Sequence, residues 1–294
     1  MMLSEQRKGE LYIYIGDVLW AFFPIITVFT YAAIPSFLSL AWSTLFAGIV
    51  FGGLVVYKGV WRELRNPLLW KYTFYVAFFI GIVFYALYFK ALEVTTPGNV
   101  AIIALFEVFT SYVFFTLFRK ERFSREHTVG SILMVVGAAI VLARDFTGIN
   151  MGDILILIAV TFTPIGNYFQ KKTREFASTE SIMFLRCLYS VPAIFILAAV
   201  FNEHASFRSL YISLPFLLIN GVLLLGLSKI LWVEAIHRIS VTKGVALSSV
   251  TPIFTLLLAW LFLAQVPTPW QLVSLFPLLL GTLLLTDQWS FTRQ

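Results

Sequence analysis

Residues 91–118, ALEVTTPGNVAIIALFEVFTSYVFFTLF, read as a polar turn followed by a long apolar helix, and residues 235–262, AIHRISVTKGVALSSVTPIFTLLLAWLF, repeat that design 144 positions later without a gap. In the first copy Pro97 stands at the helix start, where a missing N–H costs nothing. Glu107-Val108-Phe109 lies over Thr251-Pro252-Ile253, Lys120-Glu121 over Ala264-Gln265, and at the same offset Gly137 meets Gly281. Identities are few, yet hydropathy, turn positions and the late glycine coincide. A fixed long-range offset of this kind marks an internal repeat.

The flanking sequence says what is being repeated. Of 294 residues, 60% are apolar and 12% charged, against about 25% charged in an ordinary soluble domain. The mean hydropathy of +0.89 is spread along the whole chain. Too little polar surface exists to wrap so large an apolar mass. A soluble globule, a disordered chain and a nucleic-acid-binding domain are excluded together, and the solvent is lipid.

A membrane-crossing helix needs about 20 mostly apolar residues. Charge and turn clusters cut the chain into ten such stretches: 11–31, 34–57, 70–89, 97–118, 128–143, 151–170, 181–201, 214–235, 244–263 and 270–286. β-barrel strands would be short and alternating; these runs are long and continuous. The first begins after ten residues and has no small-residue cleavage site, so it is expected to be retained. The aromatic content of 17% suits lipid-facing and interfacial surface. The single cysteine, Cys187, cannot close an intramolecular disulfide.

With the N-terminus placed in the cytoplasm, that side collects 16 of the 21 Lys and Arg residues, from Arg7 and Lys8 through the 58–71, 119–125 and 171–174 clusters to Arg238, Lys243 and Arg293. The opposite loops hold only Lys90, Arg144 and Arg208, and Arg186 and Lys229 fall inside spans. So strong a bias over short loops predicts both termini on the cytoplasmic side of a plasma (inner) membrane. The net charge of +6 then reports topology rather than an anionic partner.

Ten spans divide into two units of five, 1–147 and 148–294. Because five is odd, the second unit enters from the opposite side, and the halves are expected to be inverted around a central cavity at the membrane midplane. Pro24 in helix one and Pro164 in helix six are expected to interrupt their helices beside that cavity, since each frees a carbonyl that lipid cannot satisfy. Pro252 belongs to the same set in helix nine.

The 5+5 design resembles the drug/metabolite transporter superfamily, and specifically its EamA-type members. The matching pieces are Gly16-Asp17-Val18-Leu19-Trp20, Ala91-Leu92-Glu93-Val94-Thr95-Thr96-Pro97-Gly98, Leu117-Phe118-Arg119-Lys120-Glu121-Arg122-Phe123-Ser124 and Thr251-Pro252-Ile253-Phe254. Departures from the family pattern are Glu107 without a following proline, Pro252 without a preceding glutamate, and Gln265 where glutamate is usual. The resemblance implies transport of amino acids or related metabolites through a cavity lined by helices one, three, four, six, eight and nine.

Ionisable groups deep in lipid are costly and mark function or a partner. Glu107 lies about 15 Å into helix four at 1.5 Å per residue, near the midplane, suited to an ammonium group or a proton. Lys229 in helix eight could reach a substrate carboxylate or snorkel; the repeat gives it Tyr85 as counterpart. Asp17 and Arg186 sit at equal depth in helices one and seven, which suggests a salt bridge or an inner gate. Asn167, one turn after Pro164, is either a substrate donor or a cap for the opened backbone, and Trp20 either an aromatic gate or packing. Gln170 and Asn220 are further neutral amides, and Gly48 and Gly52 form a GxxxG in helix two.

No HExxH zinc pair, GxSxG elbow or phosphate-binding loop is present, so neither metal nor cofactor is expected and no catalytic residue is assigned. The reading that emerges is a secondary transporter, not an enzyme, working by alternating access on a small polar metabolite, an amino acid or relative, with export favoured. A proton is a candidate coupling ion, and the protein acts as a monomer or homodimer in the bilayer. The alternatives are a carrier of phosphorylated or nucleotide-linked sugars and, in another class, a membrane-embedded enzyme with Asp17 or Glu107 as acid/base.

Overall fold

The computed structural model describes residues 4–119, 125–142 and 150–285, and among them every regular element is helical. Among the described residues, nine helices are long and apolar enough to cross a membrane: Glu5–Tyr31, Ser36–Tyr57, Pro67–Leu92, Pro97–Leu117, Arg125–Leu142, Met151–Thr173, Thr179–Val200, Phe207–Arg238 and Val241–Leu263. A tenth, Pro269–Leu285, is apolar but shorter. We number them one to ten in chain order. The sequence boundaries hold to within about a turn except at helix eight, which starts two turns earlier, and at the start of helix one. The predicted boundary between halves, with Lys120, Arg144 and the C-terminal residues from Thr286, lies outside the described residues.

Capping chemistry explains most of the starts. Ser4, Asn66, Thr96, Asn150, Ser178, Ser206 and Ser240 each accept a hydrogen bond from a backbone N–H two or three residues on, which satisfies one of the orphan donors of a helix N-terminus. The outward faces carry large apolar side chains such as Ile49, Ile196, Tyr211, Leu261 and Phe276, which in water would be an untenable surface.

The packing repeats itself between halves. Helices five and ten, two and seven, and four and nine lie against each other, and the pairing of helix one with the end of helix eight is matched by that of helix six with helix three. Helices five and ten cross so closely that a Cβ at Gly130 would meet the Gly281 carbonyl at 3.0 Å, and one at Gly281 the Gly130 carbonyl at 2.8 Å. Gly48 and Gly52 of the GxxxG do bring helix two onto helix seven, against Cys187 and Phe184.

Five of the helices are irregular at mid-depth. Helix one breaks at Phe22, between Glu5–Ala21 and Phe23–Tyr31, with Pro24 in the first turn of the second piece. Helix nine passes through a 3-10 turn at Ser248–Val250 before Thr251–Leu263, with Pro252 again in the opening turn. Helices three and eight each run through a π-helical stretch, Ala77–Phe84 and Ile219–Leu227. Helix four is broken too, at Leu105, between Pro97–Ala104 and the piece that begins at Phe106. No proline announces that break.

One expected interruption is absent. Helix six is continuous from Met151 to Thr173, with Pro164 inside it. The carbonyl that Pro164 deprives of its partner is that of Val160, and it accepts hydrogen bonds from the hydroxyls of Thr110 and Thr163, both at 2.9 Å. Two threonines therefore stand in for the missing N–H, and the helix survives.

Candidate functional site

The irregular segments of helices one, four and nine meet around two adjoining cavities. The larger has a volume of about 120 Å³ and is lined by Asp17, Tyr85, Glu107, Asn167, Arg186 and Lys229, among others. The smaller, about 80 Å³, is lined by Pro24, Ala101, Leu105, Val108, Pro252 and Thr255, among others. Trp20, Tyr88, Ala104, Glu107, Val245 and Ser248 line both, so they form the waist between the two. All four ionisable residues singled out in the spans face the larger chamber, and Pro24 and Pro252 face the smaller.

Local backbone explains how the side chains arrive. The break at Leu105 puts Glu107 in the first turn of a new helical piece, where a negative charge is favoured by the aligned peptide dipoles. Glu107 Oε1 accepts a hydrogen bond of 3.1 Å from the Asn167 amide, whose own oxygen accepts one from the indole of Trp232, also at 3.1 Å. Asn167 therefore neither caps the backbone at Pro164 nor points free into the cavity; it links helix four to helix eight. Pro164 itself lines neither cavity; the Val160 carbonyl it frees is bonded by Thr110, which stands one turn after Glu107 on helix four.

Asp17 is 6% exposed and accepts a hydrogen bond of 2.8 Å at Oδ1 from the Ser248 hydroxyl, at the 3-10 turn of helix nine. Its Oδ2 is buried without a partner, as is Gln170 Oε1 in the same chamber. The expected ion pair with Arg186 does not form: among the described residues no carboxylate lies within 4.0 Å of the Arg186 guanidinium, although it is only 4% exposed. Arg186 instead faces the ring of Tyr85, 5.9 Å from its centroid. The equal depth that suggested a pair reflects a shared cavity wall.

Lys229 does not snorkel. Its ammonium lies over the indole of Trp20, 3.1 Å from the ring centroid, a cation–π contact that strengthens when desolvated. Trp20 is held in turn by stacking on Phe23 at 4.1 Å. Of the alternatives expected for Trp20, the stacking matches packing, and the ring also lines both cavities. Asn220 lies outside both chambers and donates at 3.1 Å to Thr27, joining helices one and eight.

Among the described residues, Lys229 and Arg186 have no carboxylate within 4.0 Å, and the hydrogen bonds to Asp17 and Glu107 come from neutral groups.

The EamA-like transporter family profile matches the chain twice, over residues 7–143 and 150–287. The chain belongs to the EamA-like transporter family. Its apolar helices make it a multi-pass membrane protein, and the family model matches each half of the sequence once. An uncharacterized transporter of Synechocystis sp. is 25% identical over 214 residues, which cover 67% of this chain and 60% of that protein. The chain therefore spans less than two thirds of that relative's length. A crystal structure superposes with a TM-score of 0.70 over 96% of this chain and 98% of its own, at 19% identity, a likeness of fold alone.

The lining of this EamA-like transporter includes the helices that the resemblance implied and adds helix seven, through Arg186. Residues that sequence reasoning did not single out are Tyr88, Trp232 and Ser248. Each is an ordinary residue in an apolar span, and only the assembled cavity gives it a role. Ser248 had one available signal: it stands three residues before Thr251-Pro252, on the approach to an expected interruption.

Proposed function

We propose that this EamA-like transporter carries a small zwitterion, an amino acid or close relative, by alternating access. The observation that carries the reading is the charge inventory of the larger chamber. Lys229 and Arg186 receive the substrate carboxylate, while Asp17 and Glu107 receive its ammonium group. Each contact is a charge-assisted hydrogen bond worth about 1.5–3 kcal/mol in a buried setting. The two carboxylates are also the proton acceptors available for coupling, and a proton is the coupling ion we assign.

Two halves, 1–147 and 148–294, inverted with respect to each other, would supply the two access states. Two matching contacts support inversion. A Cβ on Gly9, near the start of helix one, would meet the Ala235 carbonyl near the end of helix eight at 3.4 Å, and a Cβ on Gly152, at the start of helix six, would meet the Ala91 carbonyl near the end of helix three at 2.7 Å. A chain that crosses three times ends on the side opposite its start, so helix six begins where helix one does not. The bias of basic residues supports cytoplasmic termini in a plasma membrane, and export is the direction we favour.

A phosphorylated or nucleotide-linked sugar fits less well, because its dianionic phosphate would face Asp17 and Glu107 as well as the two cations. Asp17 and Glu107 do share a cavity, as a membrane-embedded enzyme would require, but a transporter family claims the chain.

The test is flux of labelled amino acids in proteoliposomes of the purified protein. Lys229→Ala and Glu107→Gln should each lower flux about 10–100-fold, the loss of one bond to a charged group, while both variants elute as folded protein. Unchanged flux in both variants would overturn the site and the zwitterion with it.

A further inference from the structure

Every charged residue of the two cavities lines the larger chamber or the waist; the smaller chamber has none beyond Glu107 at its mouth. Past the waist its wall is Pro24, Ala101, Leu105, Val108 and Pro252, with the hydroxyl of Thr255 turned away to the Ala21 carbonyl at 3.4 Å. Thr251 brings the remaining polar atom. A chamber of this composition disfavours charge, because past the waist an ion would meet no opposite charge and only the Thr251 hydroxyl, which is buried without a partner. We infer that the smaller chamber is a side-chain subsite and that the substrate is an amino acid with an aliphatic side chain of leucine, isoleucine or methionine size. This inference rests on the zwitterion reading above.

The geometry gives the substrate an orientation. Glu107 belongs to the waist, so an ammonium group bound there leaves the α-carbon between the chambers. The carboxylate then lies toward Lys229 and Arg186 in the larger chamber, and the third substituent is directed past Trp20 and Tyr88 into the smaller one. The volume sets the size: at about 10–15 Å³ per small probe, 80 Å³ admits on the order of half a dozen heavy atoms. Each buried methylene adds about fourfold in affinity, from about 0.8 kcal/mol per CH₂.

The experiment compares glycine, alanine, valine, leucine, aspartate and lysine as competitors of flux in proteoliposomes and as stabilisers against thermal unfolding in detergent. Potency should climb from glycine to leucine by more than tenfold, with aspartate and lysine weakest. Ala101→Leu, which fills the chamber, should then reduce leucine at least tenfold relative to alanine. Thr255→Leu, from the opposite wall, should do the same and serves if Ala101→Leu does not fold. A flat series, or one led by aspartate or lysine, overturns the subsite. If the series is flat while Lys229→Ala and Glu107→Gln still abolish flux, only the subsite falls. If those two variants are also silent, the zwitterion reading fails first.

Discussion

The two halves of this transporter share a backbone plan and divide the chemistry. Helix four breaks at Leu105 and helix nine at Ser248–Val250, 144 residues apart in register, and helices three and eight carry matching π-helical stretches. At the equivalent positions the side chains differ: Glu107 against Thr251, Tyr85 against Lys229. Both acids of the chamber, Asp17 and Glu107, come from the first half, and both bases, Arg186 and Lys229, from the second. Duplication supplied two interchangeable scaffolds, and the polarity of the site lies in how they have diverged. The zwitterion proposed for this site would join one half to the other.

That contrast can be removed one position at a time. The largest effect is expected from Lys229→Tyr, which gives the second half the residue of the first. It deletes the cation over Trp20, and kcat/KM for transport should fall about 100-fold, near the upper end for one bond to a charged group. Glu107→Thr is the reciprocal change. It should cost about 10–30-fold, since Asp17 remains to receive the ammonium group. Flux that survives either change would mean that the division of charge between halves has no part in binding.

The contrast extends to the ends of the helices. Lys243 pairs with Glu10 at 2.5 Å where helices nine and one begin, both partly solvated. The counterpart at the opposite end is Asp153, 1% exposed, which accepts from the Thr95 hydroxyl and from the Asn99 amide at 3.1 Å; Asn99 in turn accepts from Gln271 at 2.7 Å. Asp153→Ala strands a buried amide and should destabilise the protein by about 1–3 kcal/mol, read as a lower Tm in detergent. Lys243→Met should change stability by less than about 1 kcal/mol, as exposed pairs do. Equal losses would show that the two ends are closed with equal strength.

The smallest effect concerns Glu93, in the turn between helices three and four. Burial pushes its pKa up, but the Lys90 ammonium at 2.5 Å and the Ser36 N–H outweigh burial and hold its carboxyl below the usual 4.5. A depressed folded-state value stabilises above the ordinary one and is lost as pH falls below it. Acidification through that range should therefore lower Tm slightly, and Glu93→Gln should remove this part of the slope.

Much of this was legible in the chain. Composition fixed the solvent, span length the helices, and the 144-residue offset the duplication. The four buried ionisable residues stood out because lipid makes each of them expensive. What could not be read was how they are partnered. Asp17 and Arg186 have equal depth, yet depth along a helix says nothing about azimuth, and the two face different neighbours. The break before Glu107 had no proline or glycine to signal it, though its copy at Thr251-Pro252 did. Pro164 gave the opposite error: a proline breaks a helix only if nothing replaces the lost bond, and Thr110, on another helix, replaces it.

The π-helical stretch just below Lys229 fixes more than packing. A π turn accommodates one residue more than an α turn, and one residue corresponds to about 100° of rotation in an α-helix. The bearing of the Lys229 ammonium toward Trp20 is therefore stored as a surplus residue between Ile219 and Leu227. Excising a single residue there would restore a regular spiral and leave every side chain of the lower wall intact, while swinging the lysine out of the chamber; chain length in this stretch is as much a specificity setting as any side chain that touches the cargo.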